Sequence, residues 1–164
     1  MKTKDITLIG ILTSISVVIS IIESYFNFFG SIIPGLKLGL ANIVVIFALY
    51  KYNFKTAIGI SLVRVFVTSL VRTGFGLNFF FSLVGALFSI LIMWLFKKTK
   101  LSVIGVSVLG SLFHSVGQVL VGIVLLDNYS VIYYLPYLLL FSIPTGIFIG
   151  IIAKRLLEYT KNVF

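Results

Sequence analysis

Apolar residues dominate the chain and are interrupted by short polar turns, which divide it into six hydrophobic runs. A helix needs about 20 mostly apolar residues to cross a bilayer. Four of the runs reach this length and two are shorter. Together they predict six helical segments in a membrane. We place the runs at residues 6–28, 36–50, 56–71, 77–96, 101–126 and 130–153.

The second run is too short to cross a full bilayer as a regular helix. The segment before it, residues 30–35, contains Pro34 and two glycines, so it must complete the crossing as an irregular loop. Non-helical backbone at membrane depth is tolerated only where it is buried in protein or lines a cavity. We therefore predict that this loop is a lid or wall of a pocket.

The composition agrees with a membrane protein. The chain is 60% hydrophobic and 10% charged, with a mean hydropathy of +1.20, whereas a soluble domain has about 25% charged residues. No hydrophilic stretch is long enough for a separate soluble domain. We predict an all-α integral membrane protein, a six-transmembrane-helix bundle that forms a single domain over residues 1–164.

The distribution of positive charge predicts the orientation. With six crossings, the N-terminus, the 51–55 turn, the 97–100 loop and the C-terminal tail lie on one side, and Lys and Arg accumulate in cytoplasmic loops. We therefore predict a multi-pass protein of the plasma membrane with both termini cytoplasmic, and no nucleic-acid partner despite the net charge of +9. The cations on this side are Lys2, Lys4, Lys51, Lys55, Lys97, Lys98, Lys100, Lys154, Arg155 and Lys161.

The remaining polar side chains fall in the outer half of the membrane or near its midplane. Intramembrane ionisable residues usually face the bundle interior or a water-filled cavity. We predict that they form a substrate-binding pocket that opens to the outside, with an excess of positive charge that favours a small anionic ligand. The predicted binding residues are Glu23, Lys37, Asn42, Arg64, Arg72, Asn78, His114 and Gln118.

Structural roles compete with binding for some of these residues. Arg72 fits the headgroup interface equally well, and Glu23 fits a structural ion pair with Lys37 or Arg64. His114 and Gln118 also fit a hydrogen-bonded contact between helices. Arg64 is the hardest to assign to structure alone, because no interface is near enough for its side chain to reach.

Two helix faces carry small or polar residues. In the fifth run, Ser107, Ser111, His114 and Gln118 recur at helical spacing on one face, which cannot point at lipid. In the first run, the pair Gly10 and Ser14 forms a small-residue face. This second face fits packing inside the bundle and docking of a partner equally well.

Several chemistries are excluded by residues that the chain lacks. It has no phosphate-binding loop of the G-x-x-x-x-G-K-[ST] type, and its aspartates are only Asp5 and Asp127, too few for Mg²⁺ on a diphosphate. A single histidine without cysteines does not make a zinc site. We predict no catalytic residues, no metal and no cofactor.

The segment 34–44, Pro-Gly-Leu-Lys-Leu-Gly-Leu-Ala-Asn-Ile-Val, resembles the Gx transporter family, which is often labelled heptaprenyl diphosphate synthase component I. Glu23-Ser24, the segment 104–108 and the segment 114–118, His-Ser-Val-Gly-Gln, share the resemblance, which spans essentially the whole chain. More distantly, the chain is similar to the substrate-binding S components of energy-coupling factor transporters.

This resemblance implies a membrane protein that captures a vitamin-, flavin- or isoprenoid-type ligand from the outer face. In S components, a small-residue face on the first helix docks a transmembrane coupling subunit that works with two ATPases. Gly10 and Ser14 stand where two alanines are typical there. The family label implies an alternative, a non-catalytic membrane subunit of a prenyl diphosphate synthase or redox system.

Overall fold

A computed structural model describes residues 3–25 and 39–163. Over these residues the chain forms six α-helices, and no strand is found in them, which confirms the predicted all-α fold. A π-helical turn, Ser69–Thr73, continues the third helix, and a 3-10 helix, Tyr129–Tyr134, precedes the sixth. The helices are α1 Thr3–Tyr25, α2 Asn42–Lys51, α3 Phe54–Thr68, α4 Leu77–Lys97, α5 Val103–Leu126 and α6 Leu135–Val163.

Five of the helices in the described ranges are long and apolar enough to cross a membrane. They are α1, α4, α5, α3 with its π-helical turn, and α6 with its 3-10 helix. The exception is α2, whose 10 residues span only about 15 Å. The chain is therefore a multi-pass membrane protein in which one short apolar helix does not cross by itself.

The start of α2 differs from the sequence prediction. The hydrophobic run begins at residue 36, but the helix begins only at Asn42. Gly39 adopts a positive φ of 70°, a conformation that favours glycine and ends regular structure. The backbone N–H of Asn42 donates to the carbonyl of Gly39 at 2.8 Å. Residues 39–41 therefore form a tight turn, and residues 36–38 and the predicted 30–35 loop lie outside the described residues.

Side-chain caps determine where two other helices begin. The side chain of Asn53 accepts a hydrogen bond from the backbone N–H of Thr56 at 2.9 Å, and that of Ser102 accepts one from Gly105 at 3.2 Å. Such caps satisfy N–H groups that have no partner inside the helix. They explain why α3 begins two residues earlier, and α5 two residues later, than the hydrophobic runs.

The basic segments meet at one end of the bundle, which we call the basic end. Lys51 Nζ donates to the carbonyl of Thr160 at 3.3 Å, and Lys97 Nζ donates to that of Leu49 at 2.7 Å. Burial raises the pKa of Tyr52, and the nearby carboxylate of Asp5 raises this pKa further. The start of α1, the turn after α2 and the ends of α4 and α6 are therefore neighbours.

The hydrophobic core is centred on the short helix α2. Ile46, Ala48 and Leu49 of this helix are completely buried. They pack in one cluster with side chains of α3, α4, α5 and α6, among them Ala57, Ile90, Met93, Val106 and Ile149. By contrast, Ile11, Ile15, Val18 and Ile22 of α1 are exposed, as expected for a helix at the lipid boundary.

Glycines allow α5 to approach α4 and α6 closely. A Cβ atom on Gly146 would lie 2.7 Å from the Cα of Val108, and one on Gly150 would lie 2.7 Å from the Cα of Ile104. A Cβ on Gly117 would lie 3.0 Å from the Cα of Gly85. Gly146 and Gly150 are one helical turn apart, a spacing of small residues that is typical of closely packed membrane helices.

Replacing Gly146 with alanine tests this packing. Because the added methyl meets backbone atoms of α5, we expect Gly146→Ala to lower the free energy of unfolding by about 1–3 kcal/mol. The matched control is Gly59→Ala in α3, where nothing lies within 4 Å of the added atom, and which should be neutral or slightly stabilising. Thermal unfolding in detergent measures both; equal midpoints for the two variants contradict the prediction.

Candidate functional site

Polar residues from α1 to α5 surround a small internal cavity, which we call the polar cavity. Its volume is about 50 Å³. Four of the eight predicted binding residues line it, namely Glu23, Asn42, Arg64 and His114. The other residues of its lining are Ser20, Gly39, Val65, Thr68, Ser69 and Ser82.

Arg64 is the buried cation of the polar cavity. Its side chain projects from α3 and the residue is only 6% exposed. Its Nη1 donates to Oδ1 of Asn42, the first residue of α2, at 3.2 Å. A guanidinium has five N–H donors in a fixed plane, and Asn42 accepts one of them. The planar fork of such a group suits the oxygens of a carboxylate or phosphate.

Glu23 contributes a negative charge to the same cavity. Its Oε1 accepts a hydrogen bond from the backbone N–H of Gly39, and its carboxylate interacts electrostatically with Arg64. The described lining therefore carries one guanidinium and one carboxylate. The excess of positive charge predicted from the sequence depends on Lys37, which lies outside the described residues.

His114 occupies space that a glycine of the facing helix provides. A Cβ atom on Gly85 of α4 would lie 2.9 Å from Cε1 of the imidazole. On its other side, His114 borders a second, very small polar space that reaches α6, where the hydroxyl oxygens of Ser115 and Ser142 are 2.6 Å apart. The polar face predicted for α5 is therefore buried between helices.

Thr68 is a lining residue that the sequence analysis missed. Its Oγ1 is buried and has no hydrogen-bond partner among the residues that the structure describes. A buried hydroxyl without a partner costs about 1–3 kcal/mol, which a ligand atom or water would offset. The spacing carried a signal, because Thr68 follows Arg64 by four residues and such positions share a helix face.

Gln118 lies in a different, larger space, which we call the apolar cavity. Its volume is about 240 Å³, and residues of α4, α5, the 3-10 helix and α6 line it. Gln118 is 5% exposed, one helical turn beyond His114. The residues of the lining are Phe81, Gln118, Val119, Leu126, Asn128, Val131, Tyr134 and Leu138.

The polar cavity does not include Arg72 or Asn78, although the sequence predicts both as binding residues. Both are exposed. Arg72 lies in the π-helical turn after α3, with its Cζ 4.3 Å from the centre of the Tyr25 ring. This position fits the alternative role at the headgroup interface, because a long cationic side chain there keeps contact with water and aromatic rings.

Gly10 and Ser14 point away from the bundle. Both are exposed, and a Cβ atom on Gly10 would meet nothing within 4 Å. The Ser14 hydroxyl donates to the carbonyl of Gly10 at 3.0 Å within α1. The helices that the structure describes do not cover this face, which is exposed to lipid or to a partner.

In the part of the chain that the structure describes, five long apolar helices and a buried guanidinium beside a polar cavity define a polytopic membrane protein with an internal polar site. The sequence model of the family described as heptaprenyl diphosphate synthase component I matches residues 12–156. The chain therefore belongs to this family, as the resemblance of its motifs implied. Searches found no match among curated proteins and none among solved structures.

The contact between Arg64 and Asn42 can be tested with matched asparagine variants. Asn42→Ala removes the acceptor of a buried guanidinium, so we expect the free energy of unfolding to fall by about 1–3 kcal/mol. Asn78→Ala changes an exposed residue and should shift the free energy of unfolding by less than about 0.5 kcal/mol. Thermal unfolding in detergent compares them, and an unchanged midpoint for Asn42→Ala would show that the contact contributes nothing.

Proposed function

We propose that this protein is a non-catalytic, substrate-binding subunit of a membrane transport system, similar to an S component, and that it captures a small anionic ligand from the outer face. The observation that supports this most is Arg64, a cation buried beside a cavity within the apolar bundle. Placing such a charge at the centre of a bilayer costs about 2.5–3.5 kcal/mol. Ligand recognition offers a reason for keeping it.

The lining residues suggest a division of roles. The planar donors of Arg64 bind the anionic group of the ligand, and Asn42 holds the guanidinium in position. The hydroxyl of Thr68 supplies one further hydrogen bond, and His114 borders the bound group from α5. Glu23 balances the charge of Arg64 within the described part of the lining. Lys37 remains a predicted ligand contact from outside the described residues.

Substituting the two arginines separates a binding role from a general effect of charge. We expect Arg64→Gln to abolish a ligand-induced thermal shift found by screening flavins, vitamins, quinone precursors and isoprenoid diphosphates on the purified protein. Arg72→Gln removes the same charge from an exposed position outside the cavity and should retain the shift. A wild-type protein that responds to no compound and carries none in native mass spectrometry contradicts the proposal.

Capture from outside requires the basic end to face the cytoplasm. The chain has no cysteine, so single cysteines report their side of the membrane without background. We expect a membrane-impermeant maleimide to label Asn128→Cys, between α5 and the 3-10 helix, on intact cells. Lys100→Cys, in the turn between α4 and α5, should react only after permeabilisation. The reverse pattern would invert the proposed orientation.

The family description favours a second candidate, a membrane subunit that supports a prenyl diphosphate synthase. Affinity purification from native membranes distinguishes the two. Recovery of a soluble synthase without an ATPase, unchanged by Arg64→Gln, favours the accessory role. Recovery of a transmembrane coupling subunit with two ATPases favours transport, and the exposed Gly10–Ser14 face of α1 is the surface that we propose for that partner.

A further inference from the structure

The polar cavity alone is too small for a complete vitamin or cofactor precursor. Its volume of about 50 Å³ compares with roughly 300 Å³ or more for typical ligand sites. A cavity needs roughly 10–15 Å³ of such volume to hold one water molecule. The space beside Arg64 therefore accommodates a group of a few atoms, such as a carboxylate.

The apolar cavity has the opposite properties. It has a volume of about 240 Å³, and none of its lining residues is charged. Its apolar walls are formed by Phe81, Val119, Val131 and Leu138. Gln118 is a polar residue of its lining, and it follows His114 of the polar cavity by four residues. An engineered apolar cavity of about 150 Å³ binds benzene. The apolar cavity is therefore large enough for a fused ring or a branched chain.

The two cavities are neighbours along the same pair of helices. Ser82 lines the polar cavity and Phe81, the preceding residue of α4, lines the apolar one. On α5, His114 and Gln118 line the polar and the apolar cavity respectively, and they are separated by one turn, about 6 Å along the helix axis. A ligand of modest length is long enough to reach both.

We infer that the ligand is bipartite, with an anionic group of a few atoms beside Arg64 and an uncharged, largely apolar body in the apolar cavity. This inference rests on the proposed function and specifies the class of its substrate. It disfavours sugars and nucleotides, because their polar groups would be buried against Phe81, Val119 and Leu138 without partners. Aromatic or branched aliphatic carboxylates match both compartments.

Three simple compounds probe the two parts separately. 2-Naphthoate has both an anionic group and an apolar body, acetate has only the former, and 2-naphthamide has only the latter. We expect the wild-type protein in nanodiscs to bind 2-naphthoate about 100-fold more tightly than acetate, because the ring leaves water. It should bind 2-naphthoate about 10-fold more tightly than 2-naphthamide, because charged hydrogen bonds are stronger. Calorimetric titration with empty nanodiscs subtracted measures these ratios.

Variants of the apolar cavity test where the ring binds. Val119 is 4% exposed and Val124, on the same helix, is 76% exposed. Val119→Phe fills the cavity, so it should weaken the binding of 2-naphthoate at least about 10-fold and leave the binding of acetate unchanged. The control Val124→Phe should change the binding of neither compound.

A second variant keeps the test from depending on Val119→Phe alone. Leu138→Ala enlarges the cavity and should shift the binding preference towards the larger 9-anthracenecarboxylate. Arg64→Gln should remove the preference for 2-naphthoate over 2-naphthamide.

The possible results separate this inference from the proposed function. If Arg64→Gln weakens 2-naphthoate but Val119→Phe and Leu138→Ala do not alter it, the bipartite ligand is wrong and the anion site stands. If 2-naphthamide binds as tightly as 2-naphthoate and Arg64→Gln has no effect, the apolar cavity is an independent site and the inference is again wrong. If none of the three compounds binds the wild-type protein but a compound of the thermal-shift screen does, the bipartite ligand is wrong and the anion site stands; if no compound of either set binds, both fail.

Discussion

The burial of the Arg64 guanidinium is the constraint on which the arrangement of the first helices depends. A cation cannot remain in hydrocarbon without polar partners, and here the partners come from separate segments of the chain. Asn42 accepts its hydrogen bond, and the carboxylate of Glu23 interacts with it across the cavity. Gly39 then joins this group through its backbone N–H, which donates to Glu23. These contacts explain why α2 begins deep inside the bundle and is short.

The close contacts of α5 with its neighbours determine the shape of the site. Contact at Gly85 and Gly117 brings α4 against α5, and the absence of a side chain at Gly85 leaves room for the imidazole of His114. Gly146 brings α6 equally close on another side of α5. The polar face of α5 is thereby enclosed, and successive turns of this face line two spaces of different character.

Membership of the family described as heptaprenyl diphosphate synthase component I is consistent with both proposed roles. A synthase needs acidic residues to hold Mg²⁺ on a diphosphate, and the two aspartates of this chain are far apart in sequence. A subunit that binds a ligand or supports an enzyme needs no such site. On the proposed function, Arg64 and its neighbours recognise an anionic group, whether that group belongs to a transported molecule or to an intermediate of a partner enzyme.

Hydrophobicity alone determined most of the fold. Because polar backbone groups and charges are costly in lipid, the membrane helices can be predicted from runs of apolar residues. The helix α4, for example, lies within one residue of its predicted range. Other helices begin at residues that differ from the starts of the hydrophobic runs. The turn at Gly39 precedes the first residue of α2, and the side-chain caps Asn53 and Ser102 determine the first residues of α3 and α5. These are effects of single residues that a hydropathy pattern averages out.

The same pattern identified which polar residues lie within the membrane, because each is costly there and stands out against apolar neighbours. It did not determine which of them meet. Arg64, Asn42, Glu23 and His114 share a cavity, whereas Gln118 lines another and Arg72 is exposed beside Tyr25. Depth in the membrane follows from position in the sequence, but direction around a helix axis and the distance between helices depend on packing. Only the tertiary structure decides those two quantities, and with them the site.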